Sequence, residues 1–386
     1  MIKSHKKIRK IALITGTRAE FSYYHPIIEE IKKRSSLDYG IIVTNTHLLD
    51  SFGRTIDEIK KDKFKIDAEI YNTLDGYNRV TMTKSLSILM LQLPEIFERM
   101  EADMVLIAGD RGEQLMAAIV GAHLYLPVAH IQAGELSGNI DGIARHAITK
   151  FSHIHFAANQ DAADRVLRLG EEKQRVHMVG APQLDDLINA PVTSPEKIYK
   201  KFGLKKKEPN LLLMFHSVTE EYEKMEEYMD NVMAAITEFG FYTVLITNNS
   251  DAGSTIIRRK INEYRRPFIH VTDNVPRPDY AGLMNTVDLL VGNSSSGILE
   301  APTFKLAAVN IGNREAGRLQ GSNVINTDYS KEGIKRGIKK ALSKDFKNKL
   351  AHCVNPYGNG HSAKRIVDIL QSVVIDDALL IKKLTY

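Results

Sequence analysis

The chain has 386 residues, of which 43% are hydrophobic and 26% charged, with a formal net charge of +5. This is an ordinary soluble globular mixture, and the length predicts two domains. No apolar stretch approaches the ~18 residues that a membrane span needs, and the apolar run at Ile11–Ile14 is too short for a secretory signal. The single cysteine, Cys353, provides no disulfide framework. We therefore expect a cytoplasmic protein that does not bind membranes.

Part of the positive charge precedes the first predicted strand, at Lys3, Lys6, Lys7, Arg9 and Lys10. A nucleic-acid patch would interleave such residues with aromatic side chains, but this segment has no Tyr or Phe and the chain has no Trp. We expect a solvated leader and no nucleic-acid partner. A mildly basic protein is also suited to an anionic, phosphorylated substrate.

In the first half of the chain, short buried-strand patterns alternate with amphipathic stretches. The predicted strands are Ile11–Thr15, Tyr39–Thr44, Met104–Ala108, Val128–Ile131 and Ile154–Ala157. The predicted helices are Pro26–Arg34, Ser85–Met100, Gly112–Leu124 and Asp141–Lys150. This alternation is typical of βαβ units and predicts a doubly wound parallel sheet.

The pattern then restarts, after a segment rich in proline and lysine between Asn189 and Pro209. The second set of predicted strands is Asn210–Phe215, Thr243–Thr247, Phe268–Val271, Leu289–Val291 and Ala308–Ile311. The predicted helices are Glu220–Glu238, Thr255–Tyr264, Lys331–Leu342 and a long C-terminal one over Ser362–Lys383. We therefore predict an α/β protein of two Rossmann-like domains, 1–190 and 191–361, with residues 362–386 packing back on the first. In such folds ligands bind beyond the carboxyl ends of the strands, and we expect an active site in the cleft between the domains.

Gly16-Thr17-Arg18-Ala19-Glu20 directly follows the first strand. A glycine there lets the backbone approach an anion, and the guanidinium of Arg18 matches phosphate geometry. Neither G-x-G-x-x-G nor a Walker A pattern is present, so we expect no dinucleotide cofactor and no P-loop. An ordinary strand-to-helix turn with a surface arginine would have the same sequence.

Carboxylates and histidines follow the next strands, in Gly109-Asp110-Arg111 and in the segment that begins at His130. The candidate catalytic residues of this group are Asp110, Glu135, Asp141, Arg145 and His146. Clustered carboxylates can raise the pKa of one member and make it a useful acid or base. A salt-bridged Asp–Arg pair at a helix start is the structural alternative. The spacing matches no known metal-ligand motif, so we predict no metal site.

The strongest local signal is Gly292-Asn293-Ser294-Ser295-Ser296-Gly297, which follows the strand at Leu289–Val291. Small hydroxyl residues at a strand-to-helix turn present N–H and O–H groups to phosphate, and a capped helix is the alternative explanation. Glu300, one turn further on, is positioned for ribose hydroxyls. Arg314 follows the next strand, and His216 follows the first strand of the second set.

Seven motifs occur in order: Thr46-His47-Leu48-Leu49-Asp50, Gly109-Asp110-Arg111, Gly134-Glu135, Arg145-His146-Ala147-Ile148-Thr149-Lys150, Asp251-Ala252-Gly253, Gly292-Asn293-Ser294-Ser295 and Asn310-Ile311-Gly312. In this order they resemble the hydrolysing UDP-N-acetylglucosamine 2-epimerases, which supply N-acetylmannosamine for sialic acid synthesis. They are also similar to relatives acting on UDP-2,4-diacetamido-2,4,6-trideoxyglucose for legionaminic acid. The resemblance runs from about Ile11 to Gly358.

The resemblance implies a glycosyltransferase-B-like fold with UDP held mainly by the second domain, no cofactor, and a homodimer or homotetramer. Ser294 and Ser295 would bind phosphate and Glu300 the ribose, while His216, Arg18 and Arg111 would balance the pyrophosphate charge. Asp110, Asp141, Arg145 and His146 would face the sugar, with His47 a further sugar-side candidate. The full set of implied substrate-binding residues is Arg18, His47, Arg111, Gln132, His216, Asn293, Ser294, Ser295, Gly297, Glu300 and Arg314.

The implied reaction removes the C2 proton as UDP leaves C1, and water then adds to the 2-acetamidoglycal. Many relatives carry Glu where this chain has Gln132, which cannot ionise, so the base would be Asp110, Glu135 or Asp141. We take Asp110 as the base in the first instance. Two smaller departures are Glu315, where relatives often have Gln, and Asn45, where Gly is usual.

Three other functions compete with this one. A UDP-sugar glycosyltransferase would share the phosphate loop but would need an acceptor. A non-hydrolysing 2-epimerase would return a UDP-sugar, and a binding protein on a retired enzyme fold would hold UDP without turnover.

Overall fold

The computed structural model describes residues 8–75, 79–136, 140–189, 191–247, 254–273, 275–383 and 385. Two compact units divide the chain: unit 1 comprises Met1–Asp186 with Tyr357–Tyr386, and unit 2 comprises Leu187–Pro356. The described residues of each unit build a parallel sheet with flanking helices. The predicted class, α/β with two doubly wound units, is confirmed.

In unit 1, the described strands form a seven-stranded sheet in the order β3-β2-β1-β4-β5-β6-β7, with every neighbouring pair parallel. The strands are β1 (Arg9–Thr15), β2 (Leu37–Thr44), β3 (Ile66–Ile70), β4 (Met104–Ala108), β5 (Val128–Ile131), β6 (Ile154–Ala157) and β7 (Val176–Met178). The strand order reverses between β1 and β4. A crevice therefore opens at their carboxyl ends, which is where such sheets bind ligands.

The central strands of this sheet are largely apolar because helices cover both faces. Along β1, Ile11 and Leu13 join one buried cluster while Ala12 and Ile14 join another. The helices of this part of the chain are α1 (Arg18–Ile31), α2 (Ile56–Lys61), α3 (Arg79–Arg99), α4 (Gly112–His123), α5 (Ile140–Phe151), α6 (Gln160–Arg168) and α7 (Gln183–Asn189). Short 3-10 turns occupy Asn45–Leu48, Asp50–Phe52 and Lys173–Arg175.

Unit 2 repeats the arrangement with a six-stranded parallel sheet in its described residues, in the order β10-β9-β8-β11-β12-β13. Its strands are β8 (Asn210–Met214), β9 (Tyr242–Ile246), β10 (Ile269–Thr272), β11 (Leu289–Gly292), β12 (Ala307–Ile311) and β13 (Val324–Thr327). Its helices are α8 (Pro195–Phe202), α9 (Met225–Phe239), α10 (Ser254–Glu263), α11 (Arg277–Met284), α12 (Ser296–Leu299), α13 (Lys331–Leu342) and α14 (Lys344–Leu350), with 3-10 turns at Thr219–Lys224 and Ala301–Phe304. The strand order reverses between β8 and β11, so the second crevice opens there.

Three helix starts differ from the prediction: α3 begins at Arg79 rather than at Ser85, and the other two differ for local reasons. The helix predicted from Pro26 begins at Arg18, because Thr17 and Glu20 form a capping box and Pro26 lies inside the helix. The helix predicted from Glu220 begins as a 3-10 turn and becomes α-helical only at Met225, after a kink at Glu221.

The long helix predicted over Ser362–Lys383 is wrong. Helix α15 (Ser362–Ser372) ends where the β-branched run Val373–Ile375 turns extended, and Asp376 caps the separate short helix α16 (Asp377–Leu380). The guanidinium of Arg9 donates hydrogen bonds to the carbonyl oxygens of Leu370 and Val373, and these bonds hold the end of α15 against β1. α15 packs on α1 within unit 1.

Three strands were not predicted, and all three lie at sheet edges: β3, β7 and β13. They are three to five residues long and carry polar residues, as in Ile66-Asp67-Ala68-Glu69-Ile70. Edge strands are buried on fewer sides, so their hydrophobic signal is weak. No helix within the described ranges is long and apolar enough to cross a bilayer.

Replacement of Leu370 by Ala should destabilise unit 1, because this α15 side chain is fully buried against the β1–β4 core. We expect a loss of about 2–5 kcal/mol in the free energy of unfolding, measured by urea titration followed by circular dichroism. Val374→Ala, at a position 68% exposed, is the matched control and should change stability by less than about 0.5 kcal/mol. Equal effects of the two variants would contradict the docking of α15.

Candidate functional site

The first candidate site lies in unit 1, at the carboxyl ends of β1, β4 and β5. The turns after β4 and β5 contain left-handed backbone at Gly109 (φ +85°), Gln132 (φ +61°) and Gly134 (φ +78°). A Cβ on Gly134 would lie 2.1 Å from the carbonyl oxygen of Ala162, so only glycine allows this turn to pack on α6. The tight turns set which side chains stand at the strand ends.

Arg145 links these two turns from helix α5. Its side chain is buried, one Nη donates to the carbonyl oxygen of Gln132 at 2.8 Å, and the other pairs with Asp110 Oδ2. A bidentate guanidinium holds both acceptors in fixed geometry. The structure therefore brings together three predicted residues, Asp110, Gln132 and Arg145.

Glu135 is held from the neighbouring helix. It is buried, and Asn159 Nδ2 donates to its Oε1 at 2.9 Å. Asn159 also caps α6, and Arg165 donates to the carbonyl oxygen of Gly134 at 2.6 Å. Asn159 was not predicted, although an Asn directly after the strand Ile154–Ala157 and before a helix is a recognisable cap signal.

The histidines near this edge are neutral. Burial lowers the pKa of His130 to about 3, and its Nε2 donates to the carbonyl oxygen of Gly109 at 2.7 Å, which ties β5 to the turn after β4. Burial, with the charges of Arg145 and Arg165, also lowers the pKa of His146. Its Nδ1 makes no hydrogen bond to any described residue. Asp141, in the first turn of α5, is half-buried.

His47 is occupied within the fold. Its Nε2 lies 2.9 Å from Thr15 Oγ1 and its Nδ1 lies 2.7 Å from Thr55 Oγ1, and burial lowers its pKa to about 4. With both ring nitrogens bonded to threonine hydroxyls, the predicted contact of His47 with the sugar has no support in this geometry. Asn45, two residues before His47, has φ +50°, a left-handed backbone that asparagine tolerates.

The two arginines of unit 1 that were predicted to balance the pyrophosphate charge are both ion-paired. The half-exposed Arg18 lies 3.1 Å from Glu58. Arg111 Nε lies 3.3 Å from Glu113 Oε2 and 3.8 Å from Glu20 Oε1, and these carboxylates, Glu113 foremost, raise the pKa of Arg111. Glu20 and Glu113 were not predicted; the T-x-x-E spacing of Thr17 and Glu20 is the signal that identifies the first.

The second candidate site lies in unit 2, at the carboxyl ends of β8, β11 and β12. Asn293 clamps two of these ends, since its Oδ1 accepts from the His216 N–H at 2.6 Å and its Nδ2 donates to the His216 carbonyl at 2.8 Å. The preceding Gly292 has φ +137°, and a Cβ there would lie 1.9 Å from the Met214 carbonyl oxygen. The close approach of β8 and β11 therefore depends on glycine.

The serine loop follows β11 as predicted, but the helix after it, α12, is shorter than expected. Ser294 is buried and its Oγ accepts from the Ser296 N–H at 3.3 Å, while Ser295 and Ser296 are half-buried. Helix α12 ends at Leu299, so Glu300 caps its end rather than lying one turn inside it. Tyr280, which was not predicted, donates to Glu300 Oε2 at 2.8 Å.

Arg314 completes this edge. It donates to the Asn293 carbonyl oxygen at 3.1 Å and pairs with Glu315 at 2.7 Å, and Glu315 also accepts from Arg318 at 2.8 Å. The buried Glu315 thus anchors the arginine. Burial, with Arg314 nearby, lowers the pKa of His216 to about 4. His216 is therefore neutral at pH 7, rather than the positively charged group that the sequence analysis expected.

The two sites account for most predicted positions, each within its own unit. The motif Asp251-Ala252-Gly253 lies outside the described residues. No cluster of His, Cys, Asp and Glu able to hold a metal ion occurs among the residues that the structure describes.

Comparison with known proteins agrees with these features. The sequence profile described as UDP-N-acetylglucosamine 2-epimerase matches residues 29–371. The chain is 34% identical over 97% of its length to the UDP-N,N'-diacetylbacillosamine 2-epimerase (hydrolyzing) of Legionella pneumophila, covering 99% of it. It is 32% identical over 87% of its length to a UDP-N-acetylglucosamine 2-epimerase of Neisseria meningitidis, covering 88% of that protein.

A solved structure shows the same fold. The crystal structure of UDP-GlcNAc 2-epimerase from Neisseria meningitidis bound to UDP-GlcNAc matches with a TM-score of 0.80 and 18% identity, covering 94% of this chain and 99% of that one. At this identity the similarity is evidence for the fold.

Substitution of Gly292 by Ala should disrupt the unit 2 edge, because the added Cβ meets the Met214 carbonyl at 1.9 Å. We expect a loss of at least about 3 kcal/mol in the free energy of unfolding of unit 2, by urea titration. Gly240→Ala is the control: it also has positive φ (+65°) but open space around it, and should cost about 1–2 kcal/mol. A Gly292→Ala variant as stable as Gly240→Ala would contradict the close approach.

Proposed function

The chain belongs to the UDP-N-acetylglucosamine 2-epimerase family, and we propose that it is an enzyme of the hydrolysing kind, converting a UDP-linked 2-acetamido sugar and water into UDP and the free 2-epimer. The observation that carries this proposal is the edge of unit 1, where Arg145 holds Asp110 beside the turn that leads to Glu135. Removal and return of a C2 proton require such carboxylates, whereas a transferase that only transfers a sugar does not.

The edge of unit 2 suits the UDP part of the substrate. Ser295 and the N–H groups at the start of α12 follow Gly292 and Asn293, in the arrangement that binds phosphate oxygens. Arg314 supplies positive charge and the neutral His216 an N–H donor. Glu300, oriented by Tyr280, accepts from ribose hydroxyls. Ser294 belongs to the same loop, and its buried hydroxyl stabilises the loop by accepting a hydrogen bond from the Ser296 N–H.

The first chemical step is an elimination. A base takes the C2 proton, the C2–H electrons form the C1=C2 double bond, and the C1–O bond breaks with its electrons leaving on the UDP phosphate oxygen. Groups suited to stabilise the departing charge stand at each edge, namely Arg18 and Arg111 in unit 1 and the serine loop in unit 2, and such stabilisation is a large contribution to the rate.

The second step is a hydration. Water adds its oxygen to C1 of the 2-acetamidoglycal. A proton is delivered to C2 on the face opposite to the one from which the first proton was removed, which gives the free 2-epimer. No redox change occurs and no electrons are needed from a cofactor. The overall reaction consumes one water per UDP released.

Asp110 is proposed as the base of the first step. Its carboxylate is partly exposed at the strand end, while Arg145 fixes its direction through a buried ion pair. Gln132, whose carbonyl oxygen accepts from Arg145, has an amide side chain and cannot take a proton. Glu135 and Asp141 remain the candidates for the second transfer, with the neutral His146 beside them.

The relatives' names supply two candidate substrates. The Legionella enzyme is named for UDP-N,N'-diacetylbacillosamine and the Neisseria enzyme for UDP-N-acetylglucosamine. We take the diacetamido sugar as the first candidate, because the match to the Legionella enzyme spans nearly the full chain. The product would then be the free manno sugar of the legionaminic acid type, and in the other case N-acetylmannosamine of the sialic acid type.

The proposal is tested by incubating the purified protein with each UDP-sugar, without an acceptor, and following products by phosphorus and proton NMR. UDP together with a free manno-configured sugar is the expected result. A UDP-linked epimer would instead identify a non-hydrolysing enzyme, and turnover only with an added acceptor a glycosyltransferase. UDP binding without any turnover would identify a binding protein.

Replacement of Asp110 by Asn should lower kcat by about 10²–10⁴-fold, since the amide cannot take the C2 proton. The affinity for UDP, measured by calorimetry, should stay close to that of the wild type. Asp164→Asn, an exposed change on α6, is the control and should leave kcat unchanged. Full turnover by Asp110→Asn would exclude Asp110 as the base.

We also propose that the protein is a homo-oligomer whose contact includes one face of α3. Leu91, 79% exposed, and Met90 border an apolar groove of about 560 Å³. The groove is lined by Thr83, Leu86, Ser87, Met90, Leu91, Pro94 and Met116, none of them charged. Exposed apolar surface of this kind is typical of protein–protein contacts, and an uncharged face can meet its own copy without like-charge repulsion.

Introduction of a charge by Leu91→Glu should therefore dissociate the oligomer, as measured by light scattering coupled to gel filtration. Val374→Glu, on another exposed part of unit 1, should leave the mass unchanged. A monomeric wild type, or an oligomer insensitive to Leu91→Glu, would contradict this contact.

A cytoplasmic location is proposed on chemical grounds. The one cysteine, Cys353, is buried and free, as suits a reducing compartment.

A further inference from the structure

Two buried carboxylates, Glu20 and Glu113, lie behind Arg111 at the carboxyl edge of the unit 1 sheet, and the mechanism above does not use them. Both residues are 4% exposed, whereas 43% of the Arg111 side chain is exposed. Glu113 Oε2 lies 3.3 Å and Glu20 Oε1 lies 3.8 Å from Arg111 Nε. The guanidinium thus has two acids on its inner side and solvent on its outer side.

Each carboxylate is fixed by its second oxygen. Glu20 Oε2 accepts from the N–H groups of Gly16 at 2.7 Å and Thr17 at 3.1 Å, and Glu113 Oε1 accepts from Asn45 Nδ2. Glu20 Oε1 makes no hydrogen bond within the described part of the chain. Both acids therefore direct one oxygen at Nε. No hydrogen bond within the described ranges engages the two Nη groups of Arg111, and their four N–H bonds can meet other acceptors.

We propose that Glu20 and Glu113 are positioning residues for Arg111, and that they hold its Nε so that its Nη groups face the substrate diphosphate. The protonation state of Glu20 then sets the net charge of these three side chains, which acts on the diphosphate. This inference rests on the proposed function, because it needs an anionic substrate at this edge.

The charge balance gives the direction of the effect. With both acids ionised, the three side chains carry a net charge of −1, and with Glu20 protonated they are neutral. An anionic ligand therefore binds better to the protonated form. Burial raises the pKa of Glu20 to about 7, Glu113 adds to the rise, and Arg111 and the Gly16 N–H oppose it. The change of charge thus falls within the pH range of ordinary assays.

Two other titratable side chains near Glu20 stay neutral through this range. Burial raises the pKa of Tyr24 on α1 well above its usual value, and burial lowers that of His47 to about 4, so both stay neutral. Gln114 on α4 is uncharged. The carboxylate of Asp141 on α5 acts on Arg111, and the exposed Arg18 pairs with Glu58.

The test is the pH dependence of KM for whichever UDP-sugar is turned over, between pH 6 and 8.5. The diphosphate diester of a UDP-sugar does not titrate in this interval, so a change reports the protein. The wild-type KM should rise by about five- to tenfold with pH, the size of a coupling near one pKa unit. Glu20→Gln should abolish the rise, since its amide oxygen can still accept from Gly16 and Thr17 but carries no charge.

Two further variants separate positioning from charge. Glu113→Gln retains an acceptor for Asn45 but loses the ionic hold on Nε. It also removes a charge that raises the pKa of Glu20, so KM should still rise with pH, with the midpoint of the rise moved to lower pH. Glu29→Gln, an exposed acid of α1 paired with Lys32 at 2.8 Å, should behave as the wild type. A Glu20→Gln enzyme with the wild-type slope overturns the inference.

A measurement on the wild type alone covers the case in which Glu20→Gln does not fold. Calorimetric titration with UDP at pH 8, in two buffers of different ionisation enthalpy, should show uptake of a fraction of one proton. No uptake, or no UDP binding, overturns the inference. If UDP binds with proton uptake while neither sugar is turned over, the proposed reaction fails and this inference stands.

Discussion

In a parallel sheet covered by helices on both faces, the strands are largely apolar, and polar side chains gather beyond their ends. This constraint orders the whole protein. β1 divides its apolar residues between two cores, and polar groups stand at the carboxyl edge, in Gly16–Glu20 and again from Gly109. The same holds in unit 2, where His216 and Asn293 follow β8 and β11. Two edges with polar residues are therefore the direct result of two buried sheets.

Both edges are ordered by side chains that hydrogen-bond the backbone or the carboxylates of the turns. Asn293 binds both backbone groups of His216, Asn159 holds Glu135, and Glu20 takes the N–H groups of the loop after β1. Each of these polar groups is buried, and a buried polar group without a partner would cost about 1–3 kcal/mol. A ligand meets a surface that is already ordered, which lowers the entropic cost of binding.

The sequence located the edges because the central strands are strongly apolar and stand out from their surroundings. Met104–Ala108, Val128–Ile131 and Ile154–Ala157 have the predicted bounds. It failed where the pattern was short or interrupted, as in β3 and β7 and at the break after Ser372, where β-branched residues stop the helix. It also could not show that Thr15 and Thr55 occupy both nitrogens of His47, since these partners are distant in sequence.

Charge states were the least predictable part of the site. His216 and Arg111 were both expected to supply positive charge, but burial leaves His216 neutral and two carboxylates surround one end of Arg111. Burial and ion pairing arise from the folded arrangement of several elements, and a motif read along the chain contains neither.

The central claim is that the bond to UDP breaks through loss of the proton at C2. It is tested most directly by running the reaction in deuterated water and examining the free sugar by proton NMR and mass spectrometry. The account predicts one deuterium at C2 in every product molecule, with inverted configuration there. A product that retains protium at C2, or the configuration of the substrate, would show simple hydrolysis and contradict the account.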